Sequence, residues 1–415
     1  MYKEIGLEQR QLAPGAITAC KSCNRIFFYL AYALYFVADY VELYTSVSAE
    51  ALLKAMHLCK YGSYGIFLLI VLCRLFTEKN TTVQKALGWF ALLAVIVYQA
   101  AFHNSNSILM VLIISYAFAE DDIRKFAVWN LWLNVIMYFF TLLAVPIGLS
   151  ENVIWQGDIK LGIARIRNSL GFNYPGQLPM SLTPIVFLYY YLRDRRISVF
   201  ENIFWISMLG VAFAVSQTIM PILVTGGFIL FFNIANRRER FHNPKRGQAK
   251  HCIPYIAYAC GGITFLLTWL YDKRLPAAVI IDNLITGRLH LNWEGAQHFG
   301  ISLFGSGYKN GFSLGWYLYL DSEYFYMLIS NGILYTAAAL WMWKAVIEWS
   351  VKANDRIMTL IFCFMAVNAI VNNGIYNLLF LPFIIVLYPS IESKLNPHGG
   401  TNCYRRQLNS QGRKQ

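Results

Sequence analysis

Residues 126–145 read FAVWNLWLNVIMYFFTLLAV, twenty residues without a charged side chain. A helix of that length rises about 30 Å, the thickness of the hydrocarbon core of a bilayer. Similar runs recur along the chain, in which 57% of residues are hydrophobic and only 14% are charged. A soluble domain carries about 25% charged residues, so this chain lacks the polar surface to cover itself in water. The sequence therefore predicts an all-α polytopic membrane protein.

We expect about twelve transmembrane helices in a single domain over residues 26–392, between terminal tails at 1–25 and 393–415. The division at Ser216-Gln217-Thr218 is the least marked, because Pro221 also fits one kinked helix. The predicted spans lie near Ile26–Leu43, Tyr61–Leu75, Ala86–Phe102, Ser107–Ala119, Phe126–Val145, Pro179–Leu192, Asn202–Val215, Thr218–Ala235, Ile253–Leu270, Glu323–Trp343, Ile357–Val371 and Gly374–Tyr388.

The distribution of basic residues predicts the orientation of these spans. Of the 35 Lys and Arg residues, 26 fall in the two tails and in the loops on the same side. The other side carries nine. Lys and Arg concentrate in cytoplasmic loops, so both termini are expected in the cytoplasm. This asymmetry also accounts for much of the net charge of +13, and a nucleic-acid partner is not needed to explain it.

Two long polar loops, Ile147–Leu178 and Tyr271–Ser322, are predicted to face outward on the same side. In the first, Arg165 and Arg167 are two residues apart, which places both on one face of an extended segment. Guanidinium groups bind phosphate oxygens in a bidentate manner. The two arginines are therefore candidate phosphate ligands, and the alternative is pairing with lipid headgroups or with Asp158.

The second loop contains Asp-Asn-Leu-Ile-Thr-Gly-Arg-Leu-His-Leu-Asn-Trp over residues 282–293. Its apolar positions favour a short interfacial helix that directs Arg288 and His290 toward a site. His290 is a candidate general base because imidazole titrates near neutral pH. Simple amphipathic packing of the helix is the alternative.

Two further features close the second loop. Gly305 and Gly307 give a flexible turn whose amides could approach a phosphate, although a lone Gly-x-Gly favours an ordinary turn. Asp321 precedes Glu323 and Tyr324 at the start of the tenth span. Its carboxylate suits capping of that helix, orientation or deprotonation of a sugar hydroxyl, or, with Glu323, a divalent metal.

Four motifs in this order resemble one known family. Residues 165–175 read Arg-Ile-Arg-Asn-Ser-Leu-Gly-Phe-Asn-Tyr-Pro, residues 284–289 Leu-Ile-Thr-Gly-Arg-Leu, and residues 304–307 Phe-Gly-Ser-Gly. The fourth runs from Asp321 to Ile333 as Asp-Ser-Glu-Tyr-Phe-Tyr-Met-Leu-Ile-Ser-Asn-Gly-Ile. This set is similar to the Wzy polymerases, which join oligosaccharide repeat units in capsule, exopolysaccharide and O-antigen assembly.

The resemblance implies a glycosyltransferase with a GT-C-like membrane bundle in the bacterial plasma membrane. Its donor is an undecaprenyl-pyrophosphate-linked oligosaccharide, with no metal or nucleotide cofactor. Arg165, Arg167 and Arg288 are the implied pyrophosphate ligands, with His290 or Asp321 as the base. Weaker substrate contacts are expected at Asn168, Tyr174, Gly305, Gly307 and Tyr324. Membrane lipids, a flippase and a chain-length regulator are implied partners.

The chain departs from the family at residues 174–176, which read Tyr-Pro-Gly where members often carry His-Pro-Asn. A role for that histidine does not transfer to Tyr174. Two other functions remain open. An O-antigen-type ligase shares the donor and differs in the acceptor, and a flippase moves the same lipid-linked sugar. A transporter is expected to carry charged or broken spans near mid-bilayer, whereas here the polar chemistry concentrates in outward loops.

Overall fold

The computed structural model describes residues 14–47, 49–77, 90, 93–94, 97–98, 107–118, 122–160, 163–194, 197–241, 249–285, 287–313, 316–374 and 376–395. Over these ranges the chain is mainly helical, with two small antiparallel sheets. Most of the third predicted span, Ala86–Phe102, lies outside the described residues.

The elements of the first half are α1 (Pro14–Tyr44), α2 (Glu50–Thr77), α3 (Ser107–Phe118), α4 (Ile123–Ala144), β1 (Ile154–Lys160), β2 (Ile163–Asn168), α5 (Gln177–Arg193), α6 (Val199–Ser216) and α7 (Met220–Phe241). Those of the second half are α8 (Ala249–Cys252), a 3₁₀ turn (Ile253–Tyr255), α9 (Ile256–Asp272), α10 (Pro276–Leu284), α11 (Arg288–Phe299), β3 (Gly311–Ser313), β4 (Trp316–Leu318), α12 (Glu323–Tyr326), a π-helical turn (Met327–Asn331), α13 (Gly332–Lys352), α14 (Arg356–Asn368), a second 3₁₀ turn (Pro382–Val386) and α15 (Leu387–Leu395).

The pattern of exposed and buried side chains on helix α4 indicates that this bundle is surrounded by lipid. Its exposed face carries Trp132 and Ile136, at 61% and 58% exposure, and the same stripe continues through Phe139 and Leu143. Its buried face holds Asn130 and other polar side chains. A soluble protein places such residues the other way round. The helix therefore presents its apolar stripe to the membrane and its polar side chains to neighbouring helices.

Six helical segments within the described residues are long and apolar enough to cross a membrane. They are Asn24–Tyr44, Glu50–Arg74, Ile123–Ala144, Val199–Ser216, Ile253–Asp272 and Glu323–Lys352. Shorter apolar helices occupy Ile108–Phe118, Met220–Asn236, Arg356–Asn368 and Pro382–Ser393. The predicted all-α membrane class is thus confirmed. The first helix begins earlier than predicted, at Pro14, within the sequence assigned to the N-terminal tail.

The structure has a break between the helices of the seventh and eighth predicted spans. Helix α6 ends at Ser216, and Gln217 takes the left-handed conformation that closes its last turn. Helix α7 starts at Met220, so Pro221 lies in its first turn, where the missing amide costs no hydrogen bond.

The twelfth predicted span, Gly374–Tyr388, is not one helix. Turns follow α14 through Leu381, and regular structure resumes at Pro382. Gly374 adopts φ +101°, a conformation that interrupts a helix. The irregular backbone is enclosed by protein, since Leu381 and Phe383 are completely buried. Burial in protein is the condition under which non-helical backbone is tolerated at membrane depth.

The second long loop has small cores of its own beside the main helical core. One contains Tyr308, Leu318, Leu320, Phe325 and Ile329, which joins β3–β4 to α12 and the π-helical turn. The other is formed by Tyr271, Ala278 and Leu289 and packs α10 and α11 on the end of α9. The loop is therefore a folded unit that can hold side chains in fixed positions.

Candidate functional site

The first long loop folds as a β-hairpin fixed to the helix ends. Strands β1 and β2 pair antiparallel, with Trp155 opposite Arg167. The chain then returns past the turn between α1 and α2, where Thr45 bridges Phe172. The loop is thereby held against the C-terminal end of α1.

Arg167 is buried, with 8% of its surface exposed, and its guanidinium binds protein groups. Its Nε donates to the carbonyl oxygen of Ser216 at 3.0 Å. Its Nη2 donates to Thr218 Oγ1 at 2.8 Å and to the Tyr174 hydroxyl at 3.1 Å. Ser216 and Thr218 flank the break between α6 and α7. Arg167 therefore ties the hairpin to that break.

The other first-loop candidates lie around Arg167. Arg165 is in β2 with its Cα opposite Asp158, as the ion-pair alternative requires, and its side chain lies outside the described part of the chain. Asn168 is the half-buried last residue of β2. The ring of Tyr174 lies 5.1 Å from the Arg167 guanidinium carbon and meets Trp155 edge-on. Tyr174 thus has a packing role in this loop.

The Arg288 region forms two helices where the sequence predicted one. Helix α10 ends at Leu284, and Gly287 takes the left-handed conformation at φ +77°. Glycine adopts this conformation without the penalty that a side chain incurs. Arg288 is then the first residue of α11.

Arg288 and Asp321 form the charged pair of the second loop. The Nε of Arg288 lies 3.0 Å from Oδ2 of Asp321, with the two side chains 13% and 30% exposed. The Nη1 of Arg288 makes a long contact of 3.4 Å to the carbonyl oxygen of Ile285. Among the described residues, Nη2 meets no acceptor. This part of the guanidinium therefore makes no hydrogen bond to the described residues, and the side chain keeps 13% exposure.

The predicted capping role of Asp321 is wrong. Ser322 is the N-cap of α12, and Asp321 directs its carboxylate to Arg288 instead. Burial raises the pKa of the Asp321 carboxyl above its ordinary value, and the neighbouring Arg288 opposes this shift. Glu323 is engaged elsewhere, because its carboxylate accepts the amide of Gly374 at the interrupted twelfth segment.

Asp282 is a site residue that the sequence did not single out. Its Oδ1 accepts the amides of Leu289 at 2.7 Å and His290 at 3.2 Å, in the first turn of α11. A carboxylate there compensates the exposed amides and the positive end of the helix dipole. The sequence signal that could have identified Asp282 is an acidic residue a few positions before the Gly287-Arg288 turn. Asp282 fixes the start of the helix that carries Arg288.

His290 and Arg288 do not share a face of α11. Residues two apart on a helix are separated by about 200°, so their side chains diverge. The imidazole of His290 stacks on Trp293 at 6.0 Å with an interplanar angle of 25°. Its Nε2 lies 3.4 Å from Oε1 of Glu294. The expectation that Arg288 and His290 face one site is therefore not met.

The Gly305–Gly307 turn crosses the π-helical turn of the tenth span. The amide of Ser306 donates to the carbonyl of Ile329 at 2.9 Å, and the amide of Gly307 donates to that of Ser330 at 3.0 Å. The amide of Gly307 is therefore used in a hydrogen bond within the protein. This turn connects the second loop to the membrane helix.

Tyr324 is a packing residue in the structure. It is 4% exposed, and its hydroxyl donates to the carbonyl oxygen of Ala366 at 2.8 Å. Its ring lies against Gly261 of α9, where an added Cβ would be 3.3 Å away. Tyr324 thus joins α9, α12 and α14.

The two arginine regions use separate partners. The contacts described for Arg167 lie in the first loop and at the α6–α7 break, whereas those of Arg288 lie within the second loop. Arg288 with Asp321 is consequently the better candidate site, because it combines charge, partial burial and a guanidinium nitrogen without an acceptor among the described residues. Among the described residues, no group of three or more His, Cys, Asp or Glu side chains could hold a metal ion.

Comparison with known protein families, with curated proteins and with solved structures finds no match to this chain.

Proposed function

We propose that this protein is a polysaccharide polymerase of the bacterial plasma membrane. It joins undecaprenyl-pyrophosphate-linked oligosaccharide repeat units at the outer leaflet, across about twelve spans with both termini in the cytoplasm. Three features support the proposal. These are the lipid-facing helical bundle, the order of the four sequence motifs, and a partly buried arginine in the second loop that pairs with a single carboxylate.

The observation that carries the proposal is the position of Arg288. It stands at the start of α11 with a guanidinium that has a single carboxylate partner. Arginine offers a planar fork of donors that matches the oxygens of a phosphate. A cation in a partly desolvated loop beside a membrane bundle suits the diphosphate of a lipid-linked sugar.

In the proposed reaction, a hydroxyl oxygen of the acceptor repeat unit forms a bond to the anomeric carbon of the donor glycan. The bond from that carbon to the pyrophosphate oxygen breaks, and its electron pair leaves with undecaprenyl pyrophosphate. The proton of the hydroxyl passes to a protein base. Arg288 stabilises the negative charge that develops on the departing diphosphate, a form of electrostatic catalysis.

Asp321 is the better base on geometric grounds. It touches Arg288, so its carboxylate lies beside the position that the leaving group would occupy. Burial raises the pKa of this carboxyl, which strengthens it as a proton acceptor. His290 points to a different side of α11. The transfer needs no metal or nucleotide, because the lipid diphosphate already activates the sugar.

The first loop contributes differently. Arg167 is committed to the α6–α7 break and acts as a positioning residue. Arg165 remains the proposed phosphate ligand of this loop, and Asn168 and Tyr174 remain proposed as weaker substrate contacts. Membrane lipids, a flippase and a chain-length regulator are proposed partners.

One observation favours a second function, lipid-linked oligosaccharide transport. The twelfth segment is interrupted between α14 and Pro382, and Asn368 and Asn372 are buried at the interruption. Broken helices with buried polar groups are typical of transport sites. An O-antigen-type ligase shares the proposed donor chemistry and differs only in its acceptor.

Glycan profiling of cells that lack the protein tests the proposal. Polymerase function predicts loss of long polymer and accumulation of single lipid-linked repeats on the outer leaflet. Accumulation on the inner leaflet would indicate a flippase instead. Long polymer held on the lipid carrier, with none on the final acceptor, would indicate a ligase.

A further inference from the structure

We infer that Asp321 is a built-in competitor for Arg288. Its carboxylate occupies the guanidinium while the site is empty, and the diphosphate of the incoming ligand displaces it. The identity of the ligand as a lipid-linked diphosphate rests on the proposed function. The exchange itself concerns any diphosphate diester that reaches Arg288.

The geometry of the pair permits displacement. Only one contact within hydrogen-bond distance joins the side chains, from Arg288 Nε to Asp321 Oδ2 at 3.0 Å. The remaining Nη1 contact, to Ile285, is 3.4 Å long. A diphosphate can engage two guanidinium nitrogens at once, and bidentate charge-assisted contacts are stronger than single ones. The incoming anion therefore has the advantage over Asp321.

Partial burial explains why a competitor is present. The Arg288 side chain is 13% exposed, so an unpaired guanidinium there loses most of its hydration. An uncompensated charge in such a position is strongly destabilising. Asp321 supplies the compensating charge until a ligand does so. The loop can therefore keep its fold in both the empty and the occupied state.

Nearby carboxylates are not suited to this exchange. Asp282 accepts two backbone amides of α11, and Glu323 accepts the amide of Gly374. Releasing either would uncover the backbone groups that shape the loop. Within the described residues, the contacts of the Asp321 carboxylate are limited to the Arg288 side chain. Asp321 can leave without unfolding its surroundings.

The exchange fixes the order of donor binding and proton transfer. Displacement frees the Asp321 carboxylate next to the diphosphate, where it can accept the proton of the acceptor hydroxyl as the new glycosidic bond forms. Before the donor binds, the carboxylate is held by Arg288. The base is therefore released only after the donor is in place.

Binding to the purified full-length protein in nanodiscs of neutral lipid tests the competition. The probe is dimethyl pyrophosphate, a soluble diester with the charge of the lipid-linked donor. Asp321→Asn is expected to bind it about fivefold more tightly than the wild type, because a competing charge contact is typically worth about 1 kcal/mol. Arg288→Gln is expected to lose binding. Glu151→Gln, an exposed carboxylate of the first loop, serves as the matched control and is expected to match the wild type.

Unchanged or weaker binding by Asp321→Asn overturns the inference. Carbodiimide labelling of the wild-type protein gives a second test that needs no substitution. Labelling of Asp321, read by peptide mass spectrometry, is expected to rise severalfold when the probe is added. If the probe binds while the Arg288–Asp321 pair stays intact, labelling of Asp321 stays constant or falls, and the exchange is refuted.

The two tests also separate this inference from the proposed function. Tight probe binding by Asp321→Asn together with normal polymer in cells that lack the protein would leave the exchange standing and remove the polymerase. Loss of polymer in those cells, together with no gain of probe binding by Asp321→Asn, would support the polymerase and refute the exchange.

Discussion

Gly305 and Gly332 meet backbone to backbone where the second loop crosses the apolar helical segment Glu323–Lys352. A Cβ added to Gly332 would lie 2.3 Å from the amide nitrogen of Gly305, and one added to Gly305 would lie 2.2 Å from the carbonyl oxygen of Ser330. Both glycines have positive φ, at +82° and +88°. The crossing joins the loop that carries Arg288 to the π-helical turn of the membrane helix. No other residue type fits at either position.

Replacing Gly332 with Ala is therefore expected to destabilise the protein. Gly332 has φ +88° and ψ 176°, a backbone conformation adopted almost only by glycine, which costs about 1–3 kcal/mol for a residue with a side chain, and backbone overlap adds to it. Thermal unfolding in detergent should show a melting temperature several degrees lower. Gly262→Ala is the matched control, because this α9 glycine has nothing within 4 Å of an added Cβ. An equal response of both variants would mean that the crossing is unimportant.

Arg288→Ala is expected to abolish polymer while single lipid-linked repeats persist, because the diphosphate loses its counter-charge. The loss should exceed a hundredfold in transfer rate, the scale on which removal of such electrostatic groups acts. Gel analysis of lipid-linked glycans measures it. Lys273→Ala is a suitable control, since this lysine is the exposed partner of Asp272 in the same loop. Long polymer made by Arg288→Ala would contradict the assigned role.

The two first-loop arginines should respond differently to Lys. Arg167→Lys loses the guanidinium fork that reaches both Ser216 and Thr218 and should lower the melting temperature as well as chain length. Arg165→Lys should shorten the polymer, because lysine cannot make a bidentate phosphate contact, and leave the melting temperature unchanged. Thr218→Ala should reproduce part of the Arg167 effect on stability. Normal chain length in Arg165→Lys would indicate a headgroup anchor.

The membrane helices could be predicted because their signal is local. The lipid solubility of an apolar run such as residues 126–145 depends on its own composition and not on tertiary contacts. The break at Ser216 was also predicted at its observed position. The break at Asn-Asn-Gly, residues 372–374, was predicted as the boundary between the eleventh and twelfth spans. The non-helical course of the chain from there to Pro382 was missed, because its apolar residues have the hydrophobicity of a membrane helix.

The candidate site was predicted as residues but not as contacts. Arg288 and Asp321 lie 33 positions apart, and Arg167 and Ser216 lie 49 apart, so their pairing depends on the folded loops. Capping was a reasonable local expectation for Asp321. It failed because Arg288 supplies a full positive charge to the carboxylate, while the amide of Glu323 at the start of α12 already donates to the carbonyl oxygen of Ala369.

The pH dependence of stability should report on Asp321. Burial raises the pKa of this carboxyl in the folded protein, so the folded state binds the proton more tightly than the unfolded state. The resulting stabilisation is fully present below the ordinary carboxyl pKa and is lost as pH rises through the higher folded value. Asp321→Asn removes this dependence. The difference in melting temperature between wild type and variant should therefore change across that acidic window and become constant above it.

His290→Phe separates the two candidate bases. Phenylalanine keeps a ring that can stack on Trp293 and removes the Nε2 that faces Glu294. Because His290 points away from Arg288 on α11, this variant is expected to retain most of the transfer rate, whereas Asp321→Asn is expected to lose it. Initial rates with a synthetic lipid-linked repeat, at saturating donor, measure both. If His290→Phe is inactive while its melting temperature is normal, imidazole is the proton acceptor, and Asp321 acts only by holding Arg288.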